Sequence, residues 1–251
     1  MKFIIRSIPN TITLLNLFSG CLAIVFAMRG WVDFAVYCIF AAAVFDFCDG
    51  LSARLLKAYS DLGKQLDSLS DVVSFGVAPA MLLHMKLNTL LSDKITGSFD
   101  SGLAWEFLTF VPFIIVLFSA LRLAKFNIDT RQTSSFIGLP VPANALLIAS
   151  LISLSVHGNP LAAFLDSWIS IPILSVIMSV LLVSNLPMFA LKFKNLTWRD
   201  NEIQFSFLLI CLAIVVYSLF LNQEIMFMIA IIISLYIFLS FVWFVLFRPV
   251  K

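Results

Sequence analysis

Along the chain, long apolar runs alternate with short polar breaks, and the length of the runs sets the first expectation. A helix needs about 20 apolar residues to cross a hydrocarbon core of about 30 Å. Eight runs reach or approach that length: Thr11 to Met28, Trp31 to Ala53, Lys64 to Leu87, Ala104 to Lys125, Pro140 to His157, Phe164 to Leu191, Ile203 to Leu221, and Glu224 to Phe247. The pattern predicts an all-α, polytopic membrane helical bundle of about eight transmembrane helices. The longest polar stretch between runs, Asn88 to Gly102, reads as a solvated outer loop. No internal repeat or low-complexity tract interrupts the series, and the loops are too short to hold a soluble domain.

Composition and charge narrow the picture. With 61% apolar and 12% charged residues, and a mean hydropathy of +1.05, a water-soluble globule is excluded. Eight spans leave both termini on one side. With the N-terminus inside, 13 of the 16 basic residues are cytoplasmic: Lys2, Arg6, Arg54, Lys57, Lys64, Arg122, Lys125, Arg131, Lys192, Lys194, Arg199, Arg248 and Lys251. Arg29, Lys86 and Lys94 fall outside, so the positive-inside rule puts both termini in the cytoplasm. The first run follows Lys2 and Arg6 with no small-x-small cleavage site and reads as a retained span. A net charge of +2 with no basic stripe argues against nucleic acid as a partner. Cys21, Cys38, Cys48 and Cys211 have no metal-type spacing and read as packing residues. The 26 phenylalanines read as lipid contacts, and Trp31, Trp105, Trp198 and Trp243 as interfacial anchors near span ends.

The chemistry is concentrated between Asp46 and Asp71. Asp46 and Asp49 close the second run, Asp67 and Asp71 open the third, and spacings of three and four residues put each pair on one helix face. A turn from Arg54 to Gly63 folds the two helices antiparallel, so the four carboxylates can converge at one depth. At about 5 Å and an effective dielectric near 20, each pair of anions repels by roughly 3 kcal/mol, and an Asp at mid-membrane costs about 2.5 to 3.5 kcal/mol more. Protons or cations must neutralise them. Hard carboxylate oxygens suit Mg²⁺ or Mn²⁺, and two divalent ions would cancel four charges. Gly50, Ala53 and Gly63 leave open space beside the carboxylates, and Arg54 adds a fixed cation. Metals, an arginine and glycine-permitted backbone approach together describe a diphosphate site.

The run Asp46-Phe-Cys-Asp49-Gly50-Leu-Ser-Ala53-Arg54, followed by Gly63, Asp67 and Asp71, fits D-x2-D-G-x2-A-R-x8-G-x3-D-x3-D without a departure, eight fixed positions over 26 residues. It resembles the CDP-alcohol phosphotransferase family. The resemblance implies an integral membrane enzyme with two divalent metals, moving a phosphatidyl group from a CDP-linked lipid to an alcohol and releasing CMP. It implies that Asp46, Asp49 and Asp67 hold one metal, that Asp46, Asp67 and Asp71 help to hold the other, and that Asp71 is the general base. Gly50 and Arg54 would contact the diphosphate, with Ala53, Ser60 and Gly63 beside them.

Three further stretches, Pro9 to Thr13, Arg122 to Asn127 and Gly138 to Asn144, are similar to the membrane-integral members of that family that use L-serine as acceptor. CDP-diacylglycerol and L-serine are the expected substrates, with glycerol 3-phosphate or inositol phosphate as alternative acceptors, and a homodimer in the cell (inner) membrane, active site facing the cytoplasm, is expected from the resemblance. Residues 1–191 would form the six-span core and 192–251 two additional spans. Asn10 and Thr13 either cap the first helix after Pro9 or, by resemblance, lie near the cytidine. Arg122 and Lys125 either anchor the inner side or hold the acceptor carboxylate, with Asn127 assisting.

The remaining polar residues have plainer readings. His84 and His157 fall on the outer side, far apart. Asp61 reads as solvated or as an N-cap, and Asp33, Glu106 and Glu224 as carboxylates complementing helix dipoles near span starts. Intramembrane acids also mark transport paths. These, however, cluster at one depth, and no inverted repeat or broken-helix pair is evident.

Overall fold

The computed structural model describes residues 2–96, 99–128, 136–188, 201–221 and 223–246. Arg131, Lys192, Lys194, Trp198, Arg199, Arg248 and Lys251 lie outside the described residues. The architecture is a helical membrane bundle. Its elements are α1 (Lys2–Met28), α2 (Val32–Leu55), α3 (Asp61–Asp71), a π-helical turn (Val72–Val77), α4 (Ala78–Thr96), α5 (Phe99–Thr109) and α6 (Ile114–Ile128), followed by α7 (Val141–Val156), α8 (Ser170–Val183), α9 (Glu202–Phe220) and α10 (Ile225–Leu246). Two-residue strands β1 (Phe136–Ile137) and β2 (Pro187–Met188) pair antiparallel, Phe136 opposite Met188.

Every expected apolar run contains a helix, but not every helix is a full span. Among the described residues five helical stretches are long and apolar enough to cross a membrane: Ser7–Met28, Val32–Leu55, Asp61–Ser92, Gly102–Ile128 and Ile225–Phe244. A sixth is possible only if α7 and the 3₁₀ turn Pro160–Asp166, bent by 90° from it, count as one. The turn Pro160–Asp166 takes up the start of the expected sixth run, Phe164 to Leu191, in which α8 has 14 residues, while α9 offers the apolar stretch Gln204–Phe220. Asn88 to Gly102, expected as a solvated loop, is largely helical, with Asn88, Thr89 and Ser92 exposed. α4 continues to Thr96 and α5 starts at Phe99, because Leu87 and Leu91 bury one face of the extended helix.

Helix packing follows side-chain size. Ala23 and Ala27 of α1 and Ala35, Val36, Ile39 and Ala42 of α2 are fully or almost fully buried, which lets the two axes approach closely along their length. Ser19 Oγ donates to the Cys38 carbonyl across that seam at 2.8 Å. α7 is the central helix, buried at nearly every position from Asn144 to Ser155. The outer surface exposes Phe18, Phe34, Phe47, Phe107, Leu117 and Phe220, a distribution that suits lipid and not water. The four cysteines are free thiols, and Cys21 points outward.

Gly138 shows why the junction before α7 is so constrained. Its φ is +79°, and a Cβ there would lie 2.5 Å from the Leu182 carbonyl oxygen. Its N–H donates to the Leu186 carbonyl at 2.9 Å and that of Leu139 to Leu181 at 3.0 Å, so glycine alone lets this segment dock on the end of α8.

Candidate active site

Four elements build the site. α1 carries Asn10, Thr13, Asn16 and Ser19 at three-residue intervals, a polar stripe in an apolar helix. That stripe faces α3 and the π turn: Ser70 Oγ donates to the Thr13 carbonyl at 3.2 Å and Ser74 Oγ to the Asn16 carbonyl at 3.0 Å. Gly20 permits the contact, since a Cβ there would sit 2.7 Å from Ser74 Cα and closer still to its hydroxyl. Asp71 is the last residue of α3 before the π turn, and π turns are frequent at functional sites because they re-aim the helix face that follows.

The carboxylates meet as the sequence predicted. Oxygens of Asp46, Asp49 and Asp67 all lie within 4.8 Å of one another, and Asp46 is within hydrogen-bond reach of Asp67 and Asp71. Asp71 is buried and accepts from Asn16 Nδ2 at 3.3 Å. Asp49 is also buried, and its Oδ2 has no hydrogen-bond partner. A bare oxygen anion in that position is costly. Hard oxygen donors so close together, one of them orphaned, fit a divalent cation, which takes carboxylate oxygens at about 2.0 to 2.6 Å.

Beside the cluster opens a cavity of about 520 Å³, walled by Asn10, Thr13, Asp49, Gly50, Ala53, Ser60, Gly63, Lys64 and Asp67 among others. Gly50 faces open space, with nothing within 4 Å of where a Cβ would stand. Gly63 is a close-approach position instead, its Cβ site 2.9 Å from Asn10 Oδ1 and 3.0 Å from Ser60 Oγ.

Several expected roles change here. Asn10 and Thr13 do not cap a helix, because α1 runs unbroken through Pro9; Thr13 Oγ1 donates back to the Pro9 carbonyl at 3.0 Å. Ser60 lines the cavity and is also the N-cap of α3, accepting from Gly63 N at 3.0 Å, so Asp61 is not the cap. Arg54 is not in the cavity wall: it is exposed, and its Nε donates to the Gly50 carbonyl at 3.0 Å. The cation in the wall is Lys64, whose Nζ donates to the Asn127 carbonyl at 2.8 Å.

The residues expected at the acceptor separate by burial. Arg122 is only 7% exposed, within electrostatic reach of Asp71, and its Nε has no partner among the described residues. Lys125 is exposed, because one turn further along α6 the helix has passed beyond the elements that cover Arg122. Asn127 is a strut: its Nδ2 donates to Ser68 Oγ at 2.8 Å, tying the end of α6 to α3.

The sequence profile described as CDP-alcohol phosphatidyltransferase matches residues 6–181, all the elements that carry the acidic site. The chain belongs to that family. This phosphatidyltransferase is 36% identical over 182 residues to the CDP-diacylglycerol–serine O-phosphatidyltransferase of Methanocaldococcus jannaschii, covering 72% of this chain and 73% of the relative. It is 33% identical over 200 residues to the protein of that name in Helicobacter pylori, with 76% and 74% covered. Against that of Bacillus subtilis it is 37% identical over 162 residues, with 61% and 78% covered.

Asn16, Lys64 and Ser119 were given no site role in the sequence reading of the phosphatidyltransferase, and Asn144 entered it only as the end of the Gly138 to Asn144 stretch. Asn16 had a usable signal, the three-residue polar stripe of α1. Lys64 was counted only as an inner-side charge. Ser119 and Asn144 are completely buried with side-chain polar atoms lacking partners among the described residues, and nothing in its apolar surroundings distinguishes Ser119 from a packing residue.

Proposed function

We propose that this phosphatidyltransferase transfers the phosphatidyl group of CDP-diacylglycerol to the hydroxyl of L-serine, giving phosphatidylserine and CMP. The observation that carries the reading is the cluster of four aspartates beside an open cavity with Gly50 in its wall. The names of the similar proteins support serine as the acceptor.

Asp46, Asp49 and Asp67 would hold one divalent ion, Mg²⁺ or Mn²⁺, and Asp46, Asp67 and Asp71 would help to hold a second. Ions bound there would neutralise the diphosphate and the charge that builds on departing CMP. The cavity between α1, α2 and α3 takes the CDP moiety, with Gly50 and Ala53 allowing close approach and Lys64 facing its charge. Asn10 and Thr13 line the side of the cavity formed by α1, where the cytidine would sit. Arg54 Nε is engaged with the Gly50 carbonyl, which leaves the terminal guanidinium nitrogens to donate to the diphosphate.

Asp71 accepts the serine hydroxyl proton, and Asn16 holds the carboxylate in place for it. The serine oxygen then bonds to the phosphatidyl phosphorus while the bond from that phosphorus to the bridging oxygen breaks, and the electron pair leaves with CMP. Arg122, buried near Asp71, faces the acceptor carboxylate. The proposal includes a cytoplasmic-facing site in the cell membrane, supported by the placement of basic residues, and a homodimer, supported by the family resemblance. Asp67→Asn and Asp71→Asn in purified protein should each abolish metal-dependent CMP release without changing membrane insertion; substantial turnover in Asp67→Asn contradicts the metal-binding role.

A further inference from the structure

Arg122 sits between two ties that hold α6 against the acidic segment. On one side Ser119 faces Gly76 of the π turn, its Cβ 3.4 Å and its Oγ 3.8 Å from where a Gly76 Cβ would stand. On the other, Asn127 Nδ2 donates to Ser68 Oγ of α3 at 2.8 Å, and Lys64 Nζ of α3 donates to the Asn127 carbonyl at 2.8 Å. Ser68 Oγ donates back to the Lys64 carbonyl at 3.2 Å, so the three residues close a ring of hydrogen bonds. Ser119 and Asn127 are about two turns apart on α6, and Arg122 falls between them.

The two ties differ in kind. α6 packs closely on the π turn but not on α3, so at this end side-chain hydrogen bonds take the place of packing. Asn127 stands next to last in α6 (Ile114–Ile128), where helix carbonyls run out of N–H partners and carry the negative end of the dipole. The Lys64 ammonium, delivered from another helix, satisfies that carbonyl. A lysine serving only as an inner-side charge stays in water and keeps its rotamer freedom. Lys64 instead spans two places, because it also lines the cavity of about 520 Å³ with Asp49, Gly50 and Asp67. An ammonium has three N–H donors; the Asn127 carbonyl takes one, and two remain for an anion in the cavity. A nucleotide diphosphate there fixes the same ammonium that caps α6, and so holds the segment bearing Arg122 before the acceptor arrives.

We propose that Lys64 is a positioning residue for the acceptor as well as a cavity cation. Through Asn127 and Ser68 it carries occupancy of the nucleotide cavity to the helix that bears Arg122, so that donor binding tightens acceptor binding. The inference rests on the donor and acceptor reading above and extends it to the order in which the two sites fill.

The test reads binding without turnover. Purified full-length protein in detergent with Mg²⁺ is titrated with L-serine by calorimetry, with and without saturating CDP, which carries the diphosphate but no phosphatidyl group to transfer. In wild type CDP should tighten L-serine about fivefold, the scale of one hydrogen bond, and L-serine should tighten CDP by the same factor. Ser68 is not in the cavity wall. Ser68→Ala should therefore bind CDP alone as wild type does, while its coupling falls below about twofold, and Ser68→Thr, which keeps the hydroxyl, should restore the coupling. Lys64→Met should weaken CDP and abolish the coupling. A wild type without coupling, a Lys64→Met protein that retains it, or a Ser68→Ala protein with the wild-type factor would overturn the proposal. Equal weakening of both ligands in Ser68→Ala with a lowered melting temperature would overturn it too, as the mark of a bond that only supports the fold. If glycerol 3-phosphate binds and L-serine does not, the acceptor assignment alone fails, and the coupling to CDP is read on glycerol 3-phosphate.

Discussion

Gly20 and Gly50 are both glycines inside helices, and replacing each by alanine should have opposite consequences. At Gly20 the new methyl would stand 2.7 Å from Ser74 Cα, a backbone atom that cannot rotate away. Carbon contacts are comfortable at about 3.5 to 4.0 Å, so α1 and the π turn must separate by roughly 1 Å. Overpacking of this kind costs about 1 to 3 kcal/mol. Separation also stretches the Ser74–Asn16 and Ser70–Thr13 bonds, each contributing about 0.5 to 1.5 kcal/mol. Alanine's better helix propensity returns only about 1 kcal/mol, leaving a net loss of about 1 to 5 kcal/mol. Asn16, which holds Asp71, moves with the seam, and a shift near 1 Å at the reacting groups costs about 10²-fold in rate. Gly50→Ala meets nothing within 4 Å. It should melt at or slightly above the wild-type temperature while its KM for CDP-diacylglycerol rises, because the methyl fills the cavity. Thermal melting in detergent and initial rates of CMP release measure both variants. A Gly20→Ala protein with wild-type melting and wild-type rate would refute the close-approach argument.

Arg122→Ala should raise the KM for L-serine at least about tenfold, the loss of a charge-assisted hydrogen bond, whereas Lys125→Ala, at an exposed position, should leave it within about twofold. Kinetics on the two proteins side by side decide this. His157 lies in the turn after α7, where its Nδ1–H donates to the Ser153 carbonyl at 2.8 Å, and Asp33 stands 3.7 Å from its other nitrogen. The Ser153 carbonyl first, then the Asp33 and Glu224 carboxylates, hold its pKa above the ordinary histidine value of 6.5. A raised value favours the protonated form in the fold, so the stabilisation is fully present below pH 6.5 and is lost as pH rises through the folded-state value. Asp33→Asn should lower the His157 pKa in an NMR titration of labelled histidine; an unchanged midpoint rejects the pairing.

The helical membrane class and the acidic site were legible in the sequence because each rests on a periodicity that lipid and charge enforce. Apolar runs have nowhere else to go, and four aspartates at three- and four-residue spacings must share a neutralising partner. Full-length spans were less legible, since hydropathy does not distinguish α8, shortened by the Pro160–Asp166 turn, from a complete crossing. Asn88 to Gly102 was read as a loop because its polar residues hid the helical continuation through the buried Leu91. Arg54 was read as the fixed cation from its place beside the carboxylates; its Nε donates to its own helix, and Lys64, counted only as an inner-side charge, lines the cavity.

The most direct measurement of the central claim is a competition assay on purified protein in mixed micelles with CDP-diacylglycerol and Mg²⁺ or Mn²⁺, offering L-serine and glycerol 3-phosphate together at equal concentration. The account predicts phosphatidylserine formed in equal amount to CMP, strict dependence on the divalent ion, and little phosphatidylglycerophosphate. Phosphatidylglycerophosphate as the product, or turnover undiminished by chelation of the metal, would contradict it.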